Sequence, residues 1–97
     1  MNFEDFKTDI EAKFNSVCEL IEFHFQPFIF GSGIVAYLIK GRFHKFIYDG
    51  RDNLVIWLVS KEHQKYLGVD FIEFKKFNGL IITLEELEKG INIRHND

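Results

Sequence analysis

The sequence predicts an α+β fold: an N-terminal helix packed on an antiparallel sheet that contains a three-stranded meander, with a short C-terminal helix. Three observations predict it. Residues 33 to 60, GIVAYLIKGRFHKFIYDGRDNLVIWLVS, hold three runs rich in β-branched and aromatic side chains, separated by Lys40-Gly41 and Asp49-Gly50-Arg51-Asp52-Asn53. Phe3, Phe6, Ile10, Phe14 and Val17 recur at helical spacing. Thr83-Leu84-Glu85-Glu86 has the form of a capping box, in which a hydroxyl and a carboxylate satisfy the free N–H groups of a helix start.

The first helix is expected over residues 3 to 15, with Asn2 as its N-cap and carboxylates in the first turn, where the helix dipole favours them. Its apolar residues share one arc, Lys7 and Lys13 flank that arc, and Glu4, Asp5, Asp9 and Glu11 occupy the back. From Glu19 to Phe25 the pattern alternates, with Ile21, Phe23 and Phe25 on one side and Leu20, Glu22 and His24 on the other, which reads as a strand; Val17 to Ile21 would also continue the helix. Pro27 and Gly31-Ser32-Gly33 break the run before the meander. After Ser60, KEHQKY reads as a loop or short helix, Phe71 to Phe77 as a further strand, and Asn78-Gly79 as a turn. The capping box opens the last helix and Gly90 is placed to end it.

A two-residue turn at Lys40-Gly41 makes Ile39 oppose Arg42, Tyr37 oppose His44 and Val35 oppose Phe46. One face of the hairpin then carries Ile34, Ala36, Leu38, Phe43 and Ile47, with Lys45 the odd residue, and reads as the core face under the first helix. The other carries Tyr37, Arg42, His44, Phe46 and Tyr48, and an even-length second turn adds Val55, Trp57 and Val59, whereas an odd-length turn puts Trp57 in the core. Aromatic side chains interleaved with Arg and His are the composition of an interface hot spot, so Tyr37, Arg42, His44, Tyr48 and Trp57 are candidate contact residues. The competing reading is that the C-terminal segments cover this face.

Ninety-seven residues form one domain, spanning 1–97, and 46% hydrophobic composition with twelve Phe supplies a core. Fifteen acidic against twelve basic side chains give a net charge of -3, which argues against direct nucleic-acid binding. A lone Cys18 forms no internal disulfide, so a reducing cytoplasm is the expected compartment. No apolar run approaches membrane-spanning length, and the acidic, periodic N-terminus lacks the basic and apolar regions of a signal peptide.

The residues that bear chemistry do not assemble into a known constellation. His24, His44, His63 and His95 have no short ligand spacing, so neither a metal nor another cofactor is expected. Cys18 sits among apolar neighbours at a helix-to-strand junction, the place of a small buried hydrophobe rather than a nucleophile. Gly31 and Gly33 precede a strand instead of linking a strand to a helix, so a phosphate cradle lacks its context. Glu85, Glu86 and Glu88 read as a solvated helix face. Asp49, Arg51 and Asp52 follow turn chemistry and are also placed to touch a partner. No enzyme is expected.

Residues 1 to 30 carry Glu4, Asp5, Asp9, Glu11, Glu19 and Glu22 against Lys7 and Lys13, an excess of four negative charges that would speed association with a basic protein. Glu4, Asp9 and Glu11 are the candidates for that role. With one domain, no catalytic constellation and the order GSG-strand-KG-strand-YDGRD-strand, the chain resembles small bacterial immunity proteins of polymorphic or contact-dependent toxin systems, over roughly residues 3 to 60. That resemblance implies a cognate toxin domain as partner, one-to-one binding and inhibition by occlusion. Two alternatives stand beside it: a small-ligand-binding or enzymatic domain of cystatin-like or nuclear-transport-factor-like shape, and a homodimeric regulatory module using the Trp57 face.

Overall fold

The structure, a computed structural model, describes the backbone of residues 1 to 96 and the side chains of residues 1 to 91. Helix α1 spans Phe3–Lys13, two residues shorter than the apolar period suggests. Its start is a reciprocal cap: the Asp5 N–H donates to Asn2 Oδ1 at 2.8 Å and the Asn2 N–H donates to Asp5 Oδ2 at 3.3 Å. At the other end the Phe14 carbonyl accepts from Val17 and Cys18, both at 2.9 Å, and turns the chain into the first strand.

Strands β1 (Cys18–Gln26), β2 (Ser32–Ile39), β3 (Arg42–Asp49), β4 (Leu54–Ser60) and β5 (Phe71–Phe77) form one antiparallel sheet in sequence order, and helix α2 (Leu80–Asn96) follows. The architecture is the α+β one read from the sequence, with the meander extended by one strand on each side. Lys40 and Gly41, at φ 50° and 83°, form the two-residue turn, and the register pairs Ile39 with Arg42, Tyr37 with His44 and Val35 with Phe46. Asp49 pairs with Leu54, so the second turn is even in length and puts Val55, Trp57 and Val59 on the face of Tyr37 and Phe46.

That face is the core, which reverses the expected assignment. Phe3, Phe6, Ile10 and Phe14 of α1 and Leu80, Leu84, Leu87 and Ile91 of α2 pack with Val35, Tyr37, Ile39, Phe46, Val55, Trp57 and Val59 in one buried cluster. Tyr37, His44 and Trp57 are therefore not contact residues: they are 0%, 2% and 4% exposed. The physical reason is that each polar atom among them is satisfied internally. The Tyr37 hydroxyl donates to Glu11 Oε2 at 2.9 Å, and Trp57 Nε1 donates to His44 Nδ1 at 3.1 Å. The C-terminal helix covers this face, as the competing reading expects, and α1 covers it too.

The opposite face, with Ile34, Leu38, Ile47, Ile56 and Leu58 half-buried, carries no helix. Residues 61 to 70 form neither helix nor strand; they reach back over this face through Tyr66, whose ring meets Phe43 edge-on at 5.1 Å. Helix α2 also departs from expectation. It begins at Leu80, three residues before the capping box, and the Thr83 hydroxyl donates back to the Gly79 carbonyl at 2.8 Å inside the first turn. Gly90 lies within this helix rather than ending it.

Candidate functional site

The strand ends and the starts of both helices gather most of the exposed apolar surface at one end of the sheet. The β1–β2 connection, residues 27 to 31, displays Phe28, Ile29 and Phe30, which are 99%, 52% and 67% exposed. Aromatic rings in water are costly, and three consecutive large apolar residues at one tip are what a contact surface presents.

The tip is held in place from below. Ile29 N donates to the Gln26 carbonyl at 3.0 Å and Ser32 N to the Ile29 carbonyl at 2.9 Å, while Phe30 and Gly31 take left-handed φ values of 55° and 68°. The β3–β4 turn closes against it: Gly50 N donates to Ser32 Oγ at 3.0 Å, and a Cβ on Gly50 would overlap the Phe30 carbonyl. Glycine is required at position 50 by this close approach, because its φ is not in the left-handed region.

Charge lies at the same end as the tip. Asp49, Arg51 and Asp52 are exposed in the adjoining turn, where the Arg51 N–H donates to Asp49 Oδ1 at 3.0 Å. The first turn of α1 brings Glu4 and Asp5 to the same end, since Phe3 stacks on Tyr48 at 5.8 Å and on Phe25 at 6.3 Å. Among the side chains at this end, four carboxylates (Glu4, Asp5, Asp49, Asp52) against one guanidinium (Arg51) leave three net negative charges beside the exposed apolar loop. Beside them Met1, Ile81 and Ile82, all about half exposed, line a groove of about 340 Å³ with Asn53.

The remaining expected contact residues lie elsewhere. Tyr48 is half-buried against the core cluster and its hydroxyl donates to Asn53 Oδ1 at 3.1 Å. Arg42 sits at the far end of the sheet, 3.4 Å from Glu62 and 3.8 Å from Glu73. Glu11 is tied to Tyr37 and to Lys7, at 2.9 Å each, and Asp9 lies half-buried along α1. Of the expected set, Glu4, Asp49, Arg51 and Asp52 come together at one end; Phe28, Ile29 and Phe30 are the residues that sequence reasoning missed.

A second polar group stands on the helix-free face. Glu22 accepts from Tyr66, lies 2.9 Å from His24 Nε2 and 3.7 Å from Lys45 Nζ. The Tyr66 hydroxyl holds the Glu22 carboxyl below its ordinary range, and burial together with Glu22 pushes the Tyr66 phenol up. The cluster ties residues 61 to 70 to β1. Burial pushes the Cys18 thiol up, away from the thiolate a nucleophile needs. Among the described residues no group of three His, Cys, Asp or Glu is placed to hold a metal ion, and no helix is long and apolar enough to cross a membrane.

Compared with known proteins, the chain matches no family model, no curated protein and no solved structure.

Proposed function

We propose that this protein is a non-catalytic binding module of the immunity type, which docks on a basic cognate toxin domain in the cytoplasm and silences it by occlusion. The observation that carries the reading is the tip: Phe28, Ile29 and Phe30 are presented to solvent on a clamped loop, with the carboxylates of the α1 start and the β3–β4 turn at the same end of the sheet. Apolar centres with charged rims are the anatomy of protein interfaces, the centre supplying affinity and the rim supplying steering and choice of partner.

The ligand-pocket alternative draws no comparable support. In a cystatin-like or nuclear-transport-factor-like shape the ligand occupies space between helix and sheet, and here aromatic side chains fill it. The void beside His44, Trp57 and Gly90 is about 30 Å³, room for a water or two and far below the few hundred Å³ of a small-molecule pocket.

The test is co-expression with the C-terminal domain encoded by the neighbouring gene, scoring growth rescue and a purified complex. Phe28→Ala with Phe30→Ala should change the unfolding free energy by no more than about 1 kcal/mol, because Phe28 is fully exposed and Phe30 two-thirds exposed. Affinity should fall at least about 30-fold, the scale of a hot-spot loss of about 2 kcal/mol. Raising salt should slow association more than it speeds dissociation. A neighbour without toxicity, or a complex indifferent to both rings, refutes the reading.

A further inference from the structure

The sheet has two outer edges, and their sequences treat self-pairing in opposite ways. We propose that the chain forms a two-fold homodimer by antiparallel pairing of β5 with β5 of a second copy, continuing the sheet from five strands to ten.

β5 reads Phe71-Ile72-Glu73-Phe74-Lys75-Lys76-Phe77. A two-fold axis at its middle residue sets Phe74 against the partner's Phe74, Glu73 against the partner's Lys75, and Lys75 against the partner's Glu73. Symmetry thus supplies two opposite-charge cross-strand pairs and a central aromatic pair from a single strand. The backbone is suited to it: the register irregularity lies opposite Ser60 at the start of β5, and Glu73 to Phe77 pair regularly with Val59 to Val55. Ile72 and Phe74 are 53% and 58% exposed on the helix-free side, so pairing also withdraws apolar surface from water.

Two charged groups of this edge strand lean inward across the sheet, and Lys76 lies along the strand itself. Lys75 Nζ stands 5.0 Å from the Trp57 ring, Lys76 Nζ 5.5 Å from the Phe74 ring, and Glu73 lies 3.8 Å from Arg42. Pairing adds the partner's Lys75 to Glu73 without requiring Arg42 to leave.

β1 shows the contrast. An axis at its middle residue sets Glu22 against Glu22, and the register irregularity between Leu20 and Glu22 interrupts the strand at that point. Like charges and bulges are the devices that keep edges apart. This inference is independent of the apolar tip, which lies at the end of the sheet rather than on its edge.

Sedimentation equilibrium over about a hundredfold range of concentration, reaching the upper micromolar range expected of a small interface, tests it. Wild type should shift from monomer to dimer mass. Glu73→Lys and Lys75→Glu should each weaken association by about tenfold or more, because either change creates two like-charge pairs. The double variant restores opposite charges and should return to within about threefold of wild type, an outcome a merely structural role for either residue would not give. Phe74→Lys, at an exposed position that leaves the monomer folded, should abolish the dimer. A wild type that stays monomeric, a double variant as weak as the singles, or a folded Phe74→Lys that still dimerises overturns the proposal.

Discussion

Replacing Phe6 by alanine measures which face of the sheet the helices cover. Phe6 is fully buried, 6.1 Å from the Phe3 ring and edge-on to Phe46 at 5.3 Å. Losing the burial of its ring costs about 2 kcal/mol in transfer free energy. The void left behind, about 80 Å³ after partial relaxation, adds about 2 kcal/mol at about 24 cal/mol per Å³. The sum, about 4 kcal/mol, is a large share of the 5–15 kcal/mol typical of a domain. At a urea slope of about 2 kcal/mol per M the midpoint should fall by about 2 M. Ile47→Ala is the control: Ile47 is half-buried on the opposite face, opens no enclosed void and should cost about 1 kcal/mol. Equal losses in the two variants, or a larger loss for Ile47→Ala, would refute the placement of both helices on the Tyr37–Phe46–Trp57 face.

Two further expectations follow from the same packing. Trp57 should emit at short wavelength and resist an aqueous quencher, since it is 4% exposed and lies between Phe46 at 5.5 Å and Phe77 at 6.2 Å; quenching like that of free indole would contradict its burial. Glu22 should make stability respond to acid. Its folded pKa lies below the unfolded value because Tyr66 donates to the ionised carboxylate, so its contribution is present above about pH 4.3 and is lost as pH falls through the lower folded value. Tyr66→Phe should therefore lower the urea midpoint at pH 7 and converge toward wild type in acid; a gap that stays constant from neutral to strongly acidic pH would show that the Tyr66–Glu22 contact is not the source.

Local signals carried the elements well. Helical spacing, β-branched runs and turn chemistry are properties of a few neighbouring residues, and α1, the three meander strands, β5 and both meander turns are where those signals put them. The choice of face was different because both faces of the hairpin are apolar. Ile34, Ala36, Leu38, Phe43 and Ile47 form the more uniformly hydrophobic set, while Tyr37, His44 and Trp57 carry polar atoms that look costly to bury. Two partners reverse that ordering: Glu11, twenty-six positions from Tyr37, and His44, thirteen from Trp57. Such pairings are set by the fold, and the bulk of the satisfied aromatic face then buries more area than the aliphatic one.

The same limit hid the tip, although part of its signal was in view. Pro27 and Gly31 bracket Phe28, Ile29 and Phe30, and in sequence both residues signal only the end of a strand. Composition, however, counts three large apolar side chains toward a core, and a residue's hydropathy says nothing about whether anything stands over it. Pairing of Gln26 with Ser32 settles the matter geometrically: five residues must turn back beyond the last rung of the ladder, where α1 and α2 begin and no further element follows. Side chains there have no route to a core that lies between the sheet and the helices. A loop confined in this way at both ends, yet filled with Phe and Ile where Gly, Asn and Asp would cost nothing, is the feature on which the proposed docking role rests. The clamp from Gly50 strengthens the inference, because a loop serving only as a connection has no need of a neighbouring backbone held so close that no side chain fits between.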